Sequence, residues 1–316
     1  MNAPESYCLG HTQFKFKNQQ SFYQGKVRDR YDLDDKIIMI TSDRISAFDV
    51  ILPRPIPYKG QVLNQIAAHC LNAVRDICPV WLESSPDPNV AIGKKCTPIP
   101  LEIVVRGYLS GHAWRTYKSG KRSLCGIEMP SGLSESDPFP KPIITPTTKA
   151  DAGHDQDISY AEILASQSIE KIVLDQLYDY AYKLFQRGSE MAAAHGLILV
   201  DTKYEFGMID GVIYLMDEIH TPDSSRYFIK EGYQSRQDSQ QSQIQLSKEF
   251  VREWLMNHGF QGLEDQIMPE MPDAFVWEIS NRYIQLYEKI TGLEFVKHHD
   301  MDIESRIKKN LSAYLV

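Results

Sequence analysis

Residues 27–33 and 36–41 flank the polar pair Asp34-Asp35 and read as a β-hairpin with a polar turn. Over 62–78, Leu63, Ile66, Ala67, Cys70, Leu71 and Val74 share one face, which predicts a helix. Residues 101–109 read as a strand running into a short helix near 113–118. Four prolines within 131–147 predict a loop or an extended crossing there. Ser159 and Glu162 have the spacing of a capping box. Behind them Ile169, Val173, Leu177, Ala181, Leu184 and Phe185 keep helical spacing until Gly196. A second hairpin is predicted from 197–206 and 212–219, with Asp210-Gly211 in its turn. The Gln- and Ser-rich stretch 234–245 reads as a mobile surface loop, and 246–258, 273–291 and 303–314 read as helices. Strands early and helices late, with mixed pairing, predict an α+β or α/β enzyme of two lobes.

At 316 residues the chain exceeds the usual single-domain size, so two compact units sharing a cleft are expected. Hydrophobic residues at 42% and charged residues at 24% are ordinary for a protein with a buried core. A formal net charge of -8 argues against a general nucleic-acid or anionic-membrane surface, while leaving room for a local grip on a phosphate. No run approaches ~20 apolar residues, so no membrane span is expected. The first sixteen residues carry Glu5, His11 and Lys15 without an apolar core, unlike a secretory leader. Five cysteines with no C-x-x-C pair fit reduced thiols. A cytoplasmic location is expected.

Six segments concentrate chemistry. In 24–30, Gly25 precedes a strand and Lys26 and Arg28 add charge, so the turn could approach a phosphate; it is no Walker A loop, and taken alone the segment is better explained as a solvated basic hairpin entry. The turn 42–49 (Ser42, Asp43, Arg44, Ser46, Asp49) follows a hydrophobic strand, as a site or as a capped turn. Arg106 lies in an apolar strand and needs an anionic partner, either a substrate group or Glu102 on the same face. Ser110-Gly111-His112 then opens a helix whose first amides favour an anion. In 199–207, Asp201, Lys203 and Glu205 share one strand face and Thr202, Tyr204 and Phe206 the other. A three-residue loop would set Glu205 opposite Asp217. A two-residue loop would part them unless a bulge near Gly207 intervened. Two facing carboxylates with a lysine suit Mg²⁺ between protein and nucleotide phosphates, although a salt-bridged wet face would read the same. The remaining segments are the polar loop 147–155, with Lys149, Asp151, His154 and Asp155, and 221–226, with Arg226 as an anion clamp. His154 and His220 lack metal-ligand spacing.

Taken together, GKVRDRYDL, SDRISAFD, PLEIVVRGYLSG, TPTTKAD-GHD, LVDTKYEFG and DEIHTPDSSRY resemble, in order and spacing, the phosphoribosylaminoimidazole-succinocarboxamide synthase (SAICAR synthetase) family. The likeness runs from Tyr23 to Tyr227, and the chain length is closer to the yeast-type form than to the short bacterial one. The resemblance implies a SAICAR-synthetase-like fold of two lobes, distantly like kinases and ATP-grasp enzymes. Residues 1–104 would be a β-rich lobe covering the ATP phosphates. Residues 105–240 would be an α/β lobe with the metal and nucleotide site, and 241–316 a helical segment packed on that second lobe.

It also implies an ATP-dependent carbon–nitrogen ligase of de novo purine synthesis. The reaction joins L-aspartate to carboxyaminoimidazole ribonucleotide (CAIR) through an acyl phosphate, giving SAICAR, ADP and phosphate. By matching motifs, Gly25, Lys26 and Arg28 would meet ATP, with Lys203 and Glu205 below, and Glu205 and Asp217 would hold Mg²⁺. Asp43, Ser46, Arg106, Ser110 and Arg226 would face the imidazole nucleotide. His112 stands where the family has a serine on the nucleotide phosphate. In 247–252, Ser247 replaces a typical aspartate, and Lys248 and Arg252 would add substrate contacts. The partners implied are small molecules, with no nucleic acid and no membrane; a homo-oligomer is neither required nor excluded. A different small-molecule phosphotransferase with the same ATP site is the nearest rival.

Overall fold

The first hairpin forms where the polarity pattern puts it. In the computed structural model, which describes residues 3–48, 50–149, 156–246, 248–298 and 302–316, Asp32 pairs with Ile37 across the Asp34-Asp35 turn. Asp49, Asp151, Gly153, His154, Asp155 and Ser247 lie outside the described residues. Strands β1 (Ser21–Gln24), β2 (Arg28–Asp32) and β3 (Lys36–Thr41) are followed by a small ribbon of β4 (Ser46–Ala47) and β5 (Val50–Ile51). Helix α1 (Lys59–Ala73) and strands β6 (Leu82–Asp87) and β7 (Val90–Lys94) complete the first lobe. Its antiparallel sheet runs β1-β2-β3-β7-β6. On one face Ile37 shares a core with Val62, Leu63, Ile66 and Cys70 of α1. On the other, Tyr31, Ile38, Ile40, Val90 and Ile92 pack under Phe14 and Phe16. Both faces are covered, so β3 reads as a nearly unbroken apolar run.

The second lobe is a six-stranded sheet. It uses β8 (Thr97–Tyr108), α2 (Gly111–Lys118), a ribbon of β9 (Ser123–Leu124) and β10 (Ile127–Glu128), β11 (Pro138–Ile144) and β12 (Thr147–Thr148). Next come α3 (Tyr160–Ala165), α4 (Lys171–Ala194), β13 (Leu197–Ile209), β14 (Val212–Met216) and β15 (Ser225–Ile229). The order is β11-β8-β13-β14, with β12 also on β8 and β15 on β13. Much of the proline-rich stretch is therefore a strand. It sits at the sheet edge with a register break between Pro138 and Ile143, where missing amide donors are tolerated. The capping box at Ser159 is present, but it starts the six-residue α3, not the long helix. Gln167, at φ 56° in the left-handed region, separates α3 from α4.

Of the last elements, α5 (Tyr233–Asp238) lies inside the Gln/Ser-rich stretch, which is therefore partly helical, with Gln243 buried. Helix α6 (Glu249–Asn257) and α8 (Ile303–Asn310) are shorter than expected, whereas α7 (Asp273–Thr291) matches its pattern and ends at Gly292, φ 69°. The C-terminal helices do not all pack on the second lobe. Helix α7 lies against α1 and α4, and α8 sends Ile303, Ile307 and Leu311 onto the outer face of the first sheet. Residues 104 and 105 both fall inside β8. Among the described residues no helix is long and apolar enough to cross a membrane.

Candidate active site

Strands β8 and β13 run antiparallel through the middle of the second sheet, setting Asp201 beside Arg106, Lys203 beside Val104 and Glu205 beside Glu102. The alternation of β13 puts Asp201, Lys203 and Glu205 on the cleft face, while Tyr204 and Phe206 enter the core. The β13–β14 turn has two residues, Asp210 and Gly211, at φ 49° and 77°, and pairs Glu205 with Met216. Asp217 is therefore not opposite Glu205. The two still converge for a local reason. Asp217 follows the last paired residue and adopts φ 56°, which brings its Oδ2 to 3.9 Å from Lys203 Nζ. Trp81 Nε1 donates to the Asp217 carbonyl at 2.9 Å and ties this corner to the first lobe. The irregularity near Gly207 exists, but in the pairing with β8.

Lys203 Nζ lies 3.0 Å from Glu102 and contacts Glu205 directly. Lys149 also contacts Glu205. Arg28, most of it buried, reaches across the cleft to Asp217 (3.5 Å) and Glu218. Burial works against the Lys203 ammonium, but Glu205, Glu102 and Asp217 together raise its pKa. Burial also opposes ionisation of Glu205, which Lys203 and Lys149 overcome, holding its carboxyl below the usual range. For Asp217 burial prevails over Arg28, and its pKa is raised. A cavity of about 170 Å³ opens beside these groups, with Ile37, Met39, Trp81, Pro98 and Met216 as apolar walls and Glu205, Asp217, Arg30, Lys94 and Lys149 as charged ones. Gly25 and Lys26 occupy the β1–β2 turn and do not line this slot.

A second cavity of about 280 Å³ has Lys203 in its wall and is lined by six basic side chains (Arg106, Arg115, Lys203, Arg226, Lys248, Arg252) against three acidic ones (Asp201, Asp223, Glu249). Arg106 donates to Thr145 Oγ1 at 2.8 Å and pairs with Asp201 at 3.6 Å. Its partner is thus not Glu102, which serves Lys203. Arg226 bridges Asp201 (2.5 Å) and Glu249 (3.1 Å). Gly111 makes room for it: a β-carbon there would sit 2.5 Å from Arg226 Nη2, and its φ of 55° also favours glycine. His112 stands at the rim, with Nε2 2.7 Å from Asp157 Oδ2. Arg252 donates to Glu249 at 3.0 Å.

Not every expected residue reaches a cavity. Ser110, buried, starts α2 without a side-chain cap bond and lines neither space. Asp43 is fully buried, its oxygens accepting from the amides of Gly60 (2.7 Å) and Leu9 (2.6 Å). Burial pushes its pKa up to about 7 against those two hydrogen bonds. Ser46 stays close, its Oγ 3.4 Å from Lys248 Nζ. Sequence reasoning also missed a buried knot. Lys59, 0% exposed, donates to Asp223 Oδ2 at 2.9 Å, Lys248 lies 3.7 Å from that oxygen, and Tyr283 donates to Oδ1 at 2.6 Å. Asp223 stood in a marked segment without a role, and nothing in its neighbours pointed to Lys59 or Tyr283, which are distant in the chain.

The SAICAR synthetase family profile matches residues 21–267. The phosphoribosylaminoimidazole-succinocarboxamide synthase of Bacteroides thetaiotaomicron is 57% identical over 98% of this chain and 99% of its own length. That of Cytophaga hutchinsonii is also 57% identical, over 96% and 98%. Among solved structures, the SAICAR synthase from Saccharomyces cerevisiae, complexed with SAICAR, superposes with a TM-score of 0.76 at 30% identity, covering 90% of this chain and 99% of that one. Bacterial relatives of the same length show that the long form is not confined to yeast. By sequence over nearly its whole length and by fold, the chain belongs to the SAICAR synthetase family, ATP-dependent ligases of purine biosynthesis.

Proposed function

We propose that this chain joins L-aspartate to the carboxylate of CAIR with hydrolysis of ATP, releasing SAICAR, ADP and phosphate. One observation carries the reading: Lys203, in the wall of a wider space rich in guanidinium groups, contacts Glu205 and lies 3.9 Å from Asp217, the two carboxylates of a slot with apolar walls. The slot suits a flat purine, whose phosphates would run past Glu205 and Asp217 under the Gly25-Lys26 turn. The wider space suits a ligand carrying a phosphate and carboxylates, as SAICAR does in the yeast relative. Arg106, Arg226, Lys248 and Arg252 would hold that ligand, with His112 at the rim.

Glu205 and Asp217 offer the hard oxygen donors that Mg²⁺ prefers, and both already attend one cation, Lys203. They would hold Mg²⁺ together with nucleotide oxygens, and the ion would neutralise triphosphate charge there. A carboxylate is a poor acyl donor. Attack of a CAIR carboxylate oxygen on the γ-phosphorus forms a P–O bond and expels ADP. The aspartate amine then attacks the acyl carbon, losing a proton as phosphate departs with its bonding pair. Lys203, beside Glu205 and Asp217, would neutralise oxygens that gain charge in both steps. The protein's part is to position and to neutralise. A cytoplasmic location goes with this reading.

The test is ADP release with CAIR, with and without L-aspartate. Release that requires aspartate and yields SAICAR supports the reading. Aspartate-independent release with a phosphorylated product would instead identify a phosphotransferase.

A further inference from the structure

We infer that Arg44 is a positioning residue that fixes the turn between β1 and β2, a role resting on the reading of that turn as the cover of the ATP phosphates. The Arg44 guanidinium donates to the carbonyls of Gly25 (Nη2, 2.9 Å), Lys26 (Nε, 3.3 Å) and Gly10 (Nη1, 2.5 Å). The next carbonyl, that of Val27, accepts from Ser42 through both its amide (2.9 Å) and its hydroxyl (2.8 Å). Three consecutive carbonyls, 25 to 27, are thus taken up by residues 42 and 44. In a trans peptide the N–H points opposite to the preceding carbonyl, and among the described residues there is no cis bond. Anchoring the carbonyls of Gly25 and Lys26 therefore directs the amides of Lys26 and Val27 away from Arg44. Successive amides turned outward are what an anion requires of a backbone.

The charge of Arg44 is already matched. Its Nη2 also donates to Asp29 Oδ1 at 2.7 Å, and the other oxygen of this fully buried carboxylate accepts from the Thr12 amide (2.6 Å) and hydroxyl (2.9 Å). The guanidinium thus acts as a brace, and its fork geometry is what matters. A lysine would keep the charge but cannot span three carbonyls and a carboxylate at once.

The test compares R44K, R44M and K26A by steady-state kinetics below each variant's thermal midpoint. Arg44→Lys and Arg44→Met are both expected to raise KM for ATP about tenfold, with KM for CAIR within about twofold of wild type, since a displaced phosphate contact reads as binding energy. Lys26→Ala should raise KM for ATP as well. A wild-type KM for ATP in R44K, or an equal rise for both substrates, overturns the brace. If K26A leaves KM for ATP unchanged, the ATP reading of the turn fails and the inference with it. If K26A raises it and R44K does not, the inference fails alone. Should neither Arg44 variant fold, Ser42→Ala, which removes one donor to Val27, is read by the same criteria.

Discussion

The two ends of the cleft mix apolar and charged walls differently. The slot has five apolar walls (Ile37, Met39, Trp81, Pro98, Met216) and a near balance of Arg30, Lys94 and Lys149 against Glu205 and Asp217, whereas in the wider cavity the bases outnumber the acids two to one. Apolar walls suit a flat base at one end, and an excess of bases suits an anionic nucleotide at the other. Lys203 lines the wider cavity and reaches the slot through its carboxylates, Glu205 and Asp217. The contrast shows that net charge, here -8, says little about a site: the sign that matters is local.

The hardest blow to the slot is Asp217→Asn, expected to cut turnover about a hundredfold or more. Its folded-state pKa is raised by burial, so the ionised carboxylate disfavours the folded form at neutral pH, and Tm should not fall. Near-normal turnover would remove Asp217 from the chemistry. At the base-rich end, Arg226→Met should raise KM for CAIR by about tenfold to a hundredfold and leave KM for ATP nearly unchanged. Asp201 and Glu249 retain Arg106 and Arg252 as partners, so this variant should fold. If both KM values rose together, the two ends would not be separate sites.

Lys59→Met probes the link between the first lobe and the wider cavity, whose wall includes Asp223. It breaks a fully buried ion pair and should cost about 3 kcal/mol in urea unfolding, with KM for ATP unaltered; an unchanged midpoint would show that Lys248 and Tyr283 suffice for Asp223. The smallest effect concerns pH. The folded pKa of Glu205 is depressed, so its stabilisation is complete above the ordinary value of 4.5 and is lost as pH falls below it. Wild type should therefore lose more unfolding free energy than Glu205→Gln between about pH 5 and pH 3. Parallel curves would mean that Lys203 and Lys149 do not hold that carboxylate down.

Periodic elements with local punctuation were legible in the sequence. Helix α7 ends at its glycine, the first hairpin turns at Asp34-Asp35, and the face of β13 follows from alternation. Elements whose state depends on distant partners were not. Prolines hid β11 because a strand at a sheet edge needs fewer amide donors, and α8 found its apolar partner far back in the chain. At the site, strand spacing selected Lys203 and Glu205. The convergence of Asp217 depends instead on one left-handed residue, and the Lys59–Asp223 pair on packing between lobes.

The placement of α8 has a consequence for biosynthesis. The outer face of a sheet made from residues 21–94 is sealed by side chains from 303–311, and the backbone at Lys15 and Lys17 bonds to Val316 and Tyr314. On the ribosome, that face of the first sheet, covered in part by Phe14 and Phe16, is closed only after residues 303–311 have been made. A nascent chain stalled after α7 would present a sticky, unfinished sheet to chaperones.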